Sequence, residues 1–128
     1  MVTDDWFELF VAQNLVIDGL VHPLVFECFD RRIVAAGGAA FSMLGEFMVD
    51  WYAESSRWVD AVLKIAAAES PANRAQLEHW SAAWLARIAP ALVPLADYAL
   101  DGAGAATLHE LAAALRARLA RAGLTVAE

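Results

Sequence analysis

One cysteine, four prolines, seven glycines and two tyrosines in 128 residues leave little room for several kinds of protein. The lone Cys28 cannot form an internal disulfide, which fits a cytoplasmic chain. Its setting beside Phe26 and Phe29 marks it as a small buried hydrophobe rather than a nucleophile. No stretch alternates polar and apolar residues, so nothing reads as a strand. Positive charge is scarce: 9 Lys and Arg face 16 Asp and Glu, a net of −7. Residues 1–60 account for all of that excess, with ten acids and three arginines, and residues 61–128 are neutral. An acidic front half argues against nucleic acid, which demands a basic surface, and against anionic membranes. It fits a basic protein partner or a solvated face.

Long apolar runs are also missing. The best candidate, Phe7 to Phe29, is broken by Glu8, Asn14, Asp18, His22 and Glu27. An uninterrupted span of roughly 18–20 apolar residues is needed to cross a bilayer. The opening Met-Val-Thr-Asp-Asp-Trp has no basic region and no small-residue cleavage site, so it is not a signal peptide. Yet hydrophobic residues make up 60% of the chain and mean hydropathy is +0.47. Soluble domains run at about 45–50%. With no membrane span, a protein interface is the better sink for the excess, and the chain is expected to be something other than a monomer.

Catalytic signatures are equally thin. No nucleophile motif surrounds any serine, and neither Gly37-Gly38 nor Gly102 and Gly104 completes a phosphate-binding loop. A ferritin-like di-metal site requires Glu-x-x-His on two helices. The three histidines are His22, His79 and His109, and Gly19, Gln76 and Ala106 precede them by three. A cruder metal site from Asp18, His22, Glu46 and Asp50 is outweighed by a hydrogen-bonded or ion-paired stripe between helices. His79 and His109 read as surface or interface residues.

What is present is helix. The first is expected from Asp4 or Asp5 to about Ile33, capped by Thr3 or Asp4, with Pro23 bending it and Gly37-Gly38 ending the unit. It is apolar on most of its circumference, but Asn14, Asp18 and His22 form a polar line at i, i+4, i+8. The second runs from about Ala40 to Glu69. Phe41, Leu44, Met48, Trp51, Trp58, Val62 and Ile65 supply its apolar side, and Glu46, Asp50, Glu54 and Arg57 a charged line, with Asp60 and Lys64 as an i, i+4 pair. Asp18 and Arg57, on the polar lines of the two long helices, are expected to be satisfied across the helix interface. Ser70-Pro71 starts a third helix reaching about Ile88, where Pro90 and Pro94 break or kink it and a short piece continues to Leu100. The last runs from about Ala106 to Arg121, with Arg118 and Arg121 at the negative end of its dipole and Gly123 as cap. Trp51, Trp58, Trp80 and Trp84 read as core or interface aromatics. The prediction is one all-α domain over residues 1–128.

Three segments carry a family resemblance. Val11–Val25, with its Ala-Gln-Asn-Leu-Val-x-Asp core, Gly37–Trp51 and Trp58–Lys64 look like the C-terminal part of the β subunit of bacterial multicomponent phenol hydroxylases, relatives of toluene and methane monooxygenases. The resemblance covers roughly residues 6 to 123. It implies a ferritin-like fold: a half-bundle hairpin of two long helices plus two shorter C-terminal helices. It further implies a non-catalytic scaffolding segment of an NAD(P)H-dependent phenol 2-monooxygenase. The catalytic α subunit would carry the di-iron centre, a γ subunit would complete the protomer, and this chain would hold no cofactor. Where the catalytic subunit has a motif like Asp-Glu-x-Arg-His, this chain reads Glu54-Ser55-Ser56-Arg57-Trp58, with Ser and Trp in place of the ligand Glu and His. Family β subunits are considerably longer. The chain starts just before their third bundle helix, which points to a fragment, a split gene or a truncated product. Asn14, Asp18, His22, Glu46, Asp50, Glu54, Arg57, Trp51 and Trp58 are thus the candidate structural and interface residues. The alternative is a stand-alone helical module that self-associates without enzymatic role.

Overall fold

The computed structural model describes residues 5–127, with the side chains of Phe41 and Leu44 outside that description. Four helices follow one another: α1 (Trp6–Ala35), α2 (Ala39–Glu69), α3 (Pro71–Ala99) and α4 (Gly104–Arg121). No strand occurs among the described residues. The architecture is the all-α, ferritin-like helical fold, but three of its helices are long rather than two.

Local chemistry fixes each boundary. Asp5 caps α1, its carboxylate accepting from the amides of Phe7 at 2.8 Å and Glu8 at 3.4 Å. The Thr3 or Asp4 cap read from the sequence lies outside the described residues. α1 ends in a Schellman turn: the Gly38 amide donates to the Ile33 carbonyl and the Gly37 amide to that of Val34. Gly37 sits at φ +92°, where a side chain would be strained. Ser70 caps α3, accepting from the Asn73 amide at 3.0 Å, with Pro71 in the first turn. Between α3 and α4 the Asp97 carboxylate takes the Gly104 amide at 2.7 Å. α4 closes with the Leu124 amide on the Leu119 carbonyl, and Leu124 is fully buried.

Two prolines behave differently from expectation. α3 passes through Pro90 and Pro94 without a break. Both rings are exposed and spaced i, i+4, so they share the solvent side of the helix, where water can reach the freed carbonyls. Pro23 is likewise carried inside α1, but by a change of winding. Residues Val11–Ile17 and Leu24–Phe29, on either side of Asp18–Pro23, form π-helical turns. The Asp18 amide, for example, reaches back to the Gln13 carbonyl.

α1 is the central element. Val11, Leu15, Val16 and Leu20 are fully buried against Val59 and Leu63 of α2, Leu77 and Leu85 of α3, and Leu115 and Leu119 of α4, and Leu24 is fully buried in a second cluster with Ala96 of α3 and Leu108 of α4. Each such side chain contributes about 1.5–3 kcal/mol of burial. By length and composition alone α1 could cross a membrane, contrary to the count of uninterrupted apolar residues. The other three helices bury 44% of its apolar 18-residue window.

α2 is covered at one end only. Its fully or nearly fully buried residues, Val59, Leu63 and Ala67, all lie in its second half. The first half meets the end of α1, where Ser42 donates to Asp30 at 2.9 Å, and from Trp51 and Tyr52 onward it reaches His22 of α1 and Arg118 of α4.

Candidate interhelical polar site and outer face of α2

α2 is apolar on two opposite sides. The side that enters the core carries Tyr52, Ser56, Val59, Leu63 and Ala67, at helical spacings of three and four. The side expected to enter it does so only in part, with Met48 and Val62 half-buried. Trp51 is 49%, Trp58 59% and Ile65 67% exposed, in line with Phe47 at 67% and Met43 at 77%. The side chains of Phe41 and Leu44, read as members of the same side, lie outside the description. Trp58 leans edge-on against Phe10 of α1 at 5.5 Å and otherwise faces outward.

The inward side holds the densest polar contact of the fold. Arg118 of α4 donates through Nε to Asp60 at 2.7 Å, through Nη1 to the Tyr52 hydroxyl at 3.0 Å, and through Nη2 to the Ser56 carbonyl at 3.0 Å. Its side chain is 12% exposed. A guanidinium spends its donors best in this forked arrangement. Burial pushes the Tyr52 phenol above its ordinary value, and the neighbouring Arg118 charge partly offsets this. Sequence reasoning missed this site. It assigned Arg118 to the helix dipole and Asp60 to Lys64, which is exposed. The available signal was the i, i+4, i+8 series Tyr52, Ser56, Asp60.

The polar line of α1 adjoins that site but does not act as one row. The His22 ring stacks on Tyr52 at 4.7 Å and 6°, with Trp51 and Phe26 at 5.6 and 5.4 Å. Its Nδ1 is buried and has no hydrogen-bond partner. Asp18 is half-buried and accepts from Gln13 Nε2 at 2.9 Å. That five-residue spacing matches the π turn between them. Asn14 is half-buried. Arg57 is satisfied within its own helix, 2.5 Å from Glu54, and both are largely exposed at 71% and 75%. The contact expected across helices for Arg57 is made by Arg118 instead.

Glu46 and Asp50 are exposed and line an open groove of about 420 Å³ with Phe26, Asp30 and Ser42, apart from His22 and Asp18. Among the described residues no three His, Cys, Asp or Glu side chains are grouped so as to hold a metal ion. A carboxylate-bridged di-iron centre does not fit this donor set. Cys28 is half-buried, its sulfur 3.5 Å from the Arg31 guanidinium. His79 and His109 are exposed.

The sequence pattern of the Methane/Phenol/Alkene Hydroxylase family matches residues 1–70. The chain is 48% identical over 123 residues to phenol 2-monooxygenase, oxygenase component DmpL, of Pseudomonas sp. (strain CF600), covering 96% of this chain and 36% of that protein. It is 42% identical over 100 residues to oxygenase component MhpL of Acinetobacter pittii (strain PHEA-2), covering 78% and 30%. A crystal structure of xenon-pressurized phenol hydroxylase from Pseudomonas sp. OX1 includes a chain 44% identical to this one. It superposes with a TM-score of 0.87 over 97% of this chain and 37% of its own length. The chain spans about a third of the length of the curated relatives it matches.

Proposed function

The chain belongs to the methane/phenol/alkene hydroxylase family, and from that premise we propose that it is a non-catalytic scaffolding segment, equivalent to the C-terminal part of a β subunit, in an aromatic hydroxylase. Oxygen insertion takes place on a separate α subunit that carries the di-iron centre, and a γ subunit completes the assembly. One observation carries this reading: α2 turns a row of large apolar side chains outward, Trp58 among them, at the stretch where a catalytic relative needs iron ligands. On the opposite side of the same helix, Tyr52 and Asp60 are taken up by hydrogen bonds from Arg118. Such an exposed aromatic row is the composition of an interface centre.

Two measurements test the proposal. Co-expression with the di-iron catalytic subunit of a phenol hydroxylase is expected to yield a complex that survives size-exclusion chromatography. Failure to associate with any such subunit overturns it. The isolated chain, reconstituted with ferrous iron and desalted, is expected to retain no stoichiometric metal. Two tightly bound irons per chain with an oxo-bridge absorption overturn it as well.

A further inference from the structure

The backbone stays on the fold after α4 ends. Gly123 turns it at φ +86°, and Leu124 goes to full burial in the cluster that holds Leu119 and Leu77. Residues 125–127 carry no helix, yet they are held at two points. The Thr125 amide donates to the Glu78 carboxylate of α3 at 2.8 Å. Arg116 of α4 donates through Nε to the Ala127 carbonyl at 3.3 Å. Val126, between the two, packs half-buried against the main core. A carboxylate on one helix takes a backbone donor, and a guanidinium on the next takes to a backbone acceptor. Both serve peptide groups that no secondary structure serves.

Glu78 lies where α3 first gains a hold on the rest of the chain. Residues 71–76 are all exposed. Their caps are local: Ser70 accepts from the Asn73 amide, and the Asn73 side chain donates to Glu69. The core first grips the helix at Leu77, which is 1% exposed, and the tail grips it at the next residue. Leu77 also lines an open cleft of about 580 Å³, with Gln76 and Trp80 of α3, Trp6 and Phe7 of α1 and Ala66 of α2. Gln76 and Glu78, two residues apart in a helix of 3.6 per turn, point in nearly opposite directions. The cleft and the tail thus hold opposite sides of one turn of α3.

We propose that residues 125–127 are a latch on the first turns of α3, with Glu78 as its catch, and that releasing the latch loosens residues 71–80 and opens the cleft beside Trp6 and Trp80. Leu124 is fixed by the cap of α4, its amide on the Leu119 carbonyl. The latch can therefore lift from Thr125 onward without unwinding α4. Both halves of the device lie within this chain, so it does not rest on the scaffolding reading.

Hydrogen exchange of the full chain, followed by mass spectrometry, tests the latch from both sides. Glu78→Ala removes the acceptor from α3, and Thr125→Pro removes the donor from the tail without touching α3. Each is expected to speed exchange over residues 75–80 roughly tenfold, the scale of losing a hydrogen bond to a charged group. Exchange over residues 112–119 of α4 should stay within about twofold of the parent. The double variant should go no further than either single one, because both break the same bond. In a Cys28→Ser background, an Ala66→Cys thiol should react with a maleimide roughly tenfold faster once Thr125→Pro is added. Exchange over residues 75–80 that Thr125→Pro leaves unchanged overturns the proposal. So does exchange that rises equally in α1, α3 and α4, which would make the tail a contributor to global stability alone. Should Glu78→Ala fail to fold, Thr125→Pro decides the matter.

Discussion

Arg118 and Asp60, 58 positions apart in the chain, meet at 2.7 Å and tie α4 to α2. The guanidinium sits almost out of solvent while the carboxylate keeps 37% of its surface exposed. The pair is therefore one-sided: removing Asp60 leaves a shielded cation, and removing Arg118 leaves a carboxylate that water can still reach. Arg118→Met is predicted to lower unfolding stability by about 2 kcal/mol, the scale of charge-assisted hydrogen bonds. Arg118→Lys should recover only part of that, because an ammonium cannot span Asp60, Tyr52 and the Ser56 carbonyl in one plane. Urea titrations of the variants and of Asp60→Asn, closed as a double-mutant cycle, read the coupling directly. A coupling energy near zero would show that the pair is decorative.

Tyr52 gives the same site a pH signature. Its phenol is raised above 10.0 in the folded chain, chiefly by burial. The folded state therefore holds the proton more tightly than the unfolded one. This group's contribution is fully present below about pH 10 and is lost as pH rises through the folded value. Tyr52→Phe removes the titration, so the difference in urea midpoint between the two proteins is predicted to be flat below pH 9 and to narrow or reverse from about pH 10 upward. A difference that stays constant to pH 11.5 would place the phenol in solvent.

The legible parts of the fold were local ones. Ser70-Pro71 and Gly37-Gly38 mark helix ends through contacts within three to five residues, so sequence suffices to find them. The facing of α2 was another matter. Both Tyr52-Ser56-Val59-Leu63 and Phe47-Trp51-Trp58-Ile65 have helical spacing, and the second is the more hydrophobic on paper. What sends the first inward is the fit of small and polar side chains beneath α4, with Arg118 meeting Tyr52, Ser56 and Asp60. That partner lies some sixty residues away, where no periodicity reaches. On the polar line of α1, His22 stacks on Tyr52 and Asp18 lies close enough to act on the same phenol, while the bond from Gln13 to Asp18 spans five residues because residues 11–17 wind more loosely than an α-helix.

Asp18 and Arg57 look equivalent in the sequence and are predicted to differ in solution. Asp18 is half-buried, bonded to Gln13 and close enough to Tyr52 to act on its phenol. Asp18→Ala should cost about 1 kcal/mol in a urea titration. Arg57 lies in solvent with a partner on its own helix, so Arg57→Ala should change the stability of the isolated fold by no more than about 0.5 kcal/mol. An Arg57 loss larger than that of Asp18 would mean its guanidinium is buried by another molecule under the conditions used, and dilution would then abolish the excess.

Pro90 and Pro94 offer the cleanest test of the fold itself. Both lie in the interior of the continuous helix α3, where a proline lacks the amide that would bond four residues back. The acceptors left over are the carbonyls of Ala86 and Pro90, on the exposed side of the helix. Neither proline ring fills the main core, so replacing it removes little packing. Pro94→Ala restores one helical hydrogen bond and is predicted to stabilise the chain by about 1–3 kcal/mol, below the full proline penalty because water already serves the free carbonyl. Pro90→Ala should do the same, and the two gains are expected to couple, since the acceptor left free by Pro94 is the carbonyl of residue 90 itself. Melting temperature and far-UV circular dichroism read both changes. If α3 instead breaks near Ile88, as a reading of the sequence alone expects, the substitutions would raise helical content by several residues. With α3 already continuous, they should raise stability and leave helical content as it is.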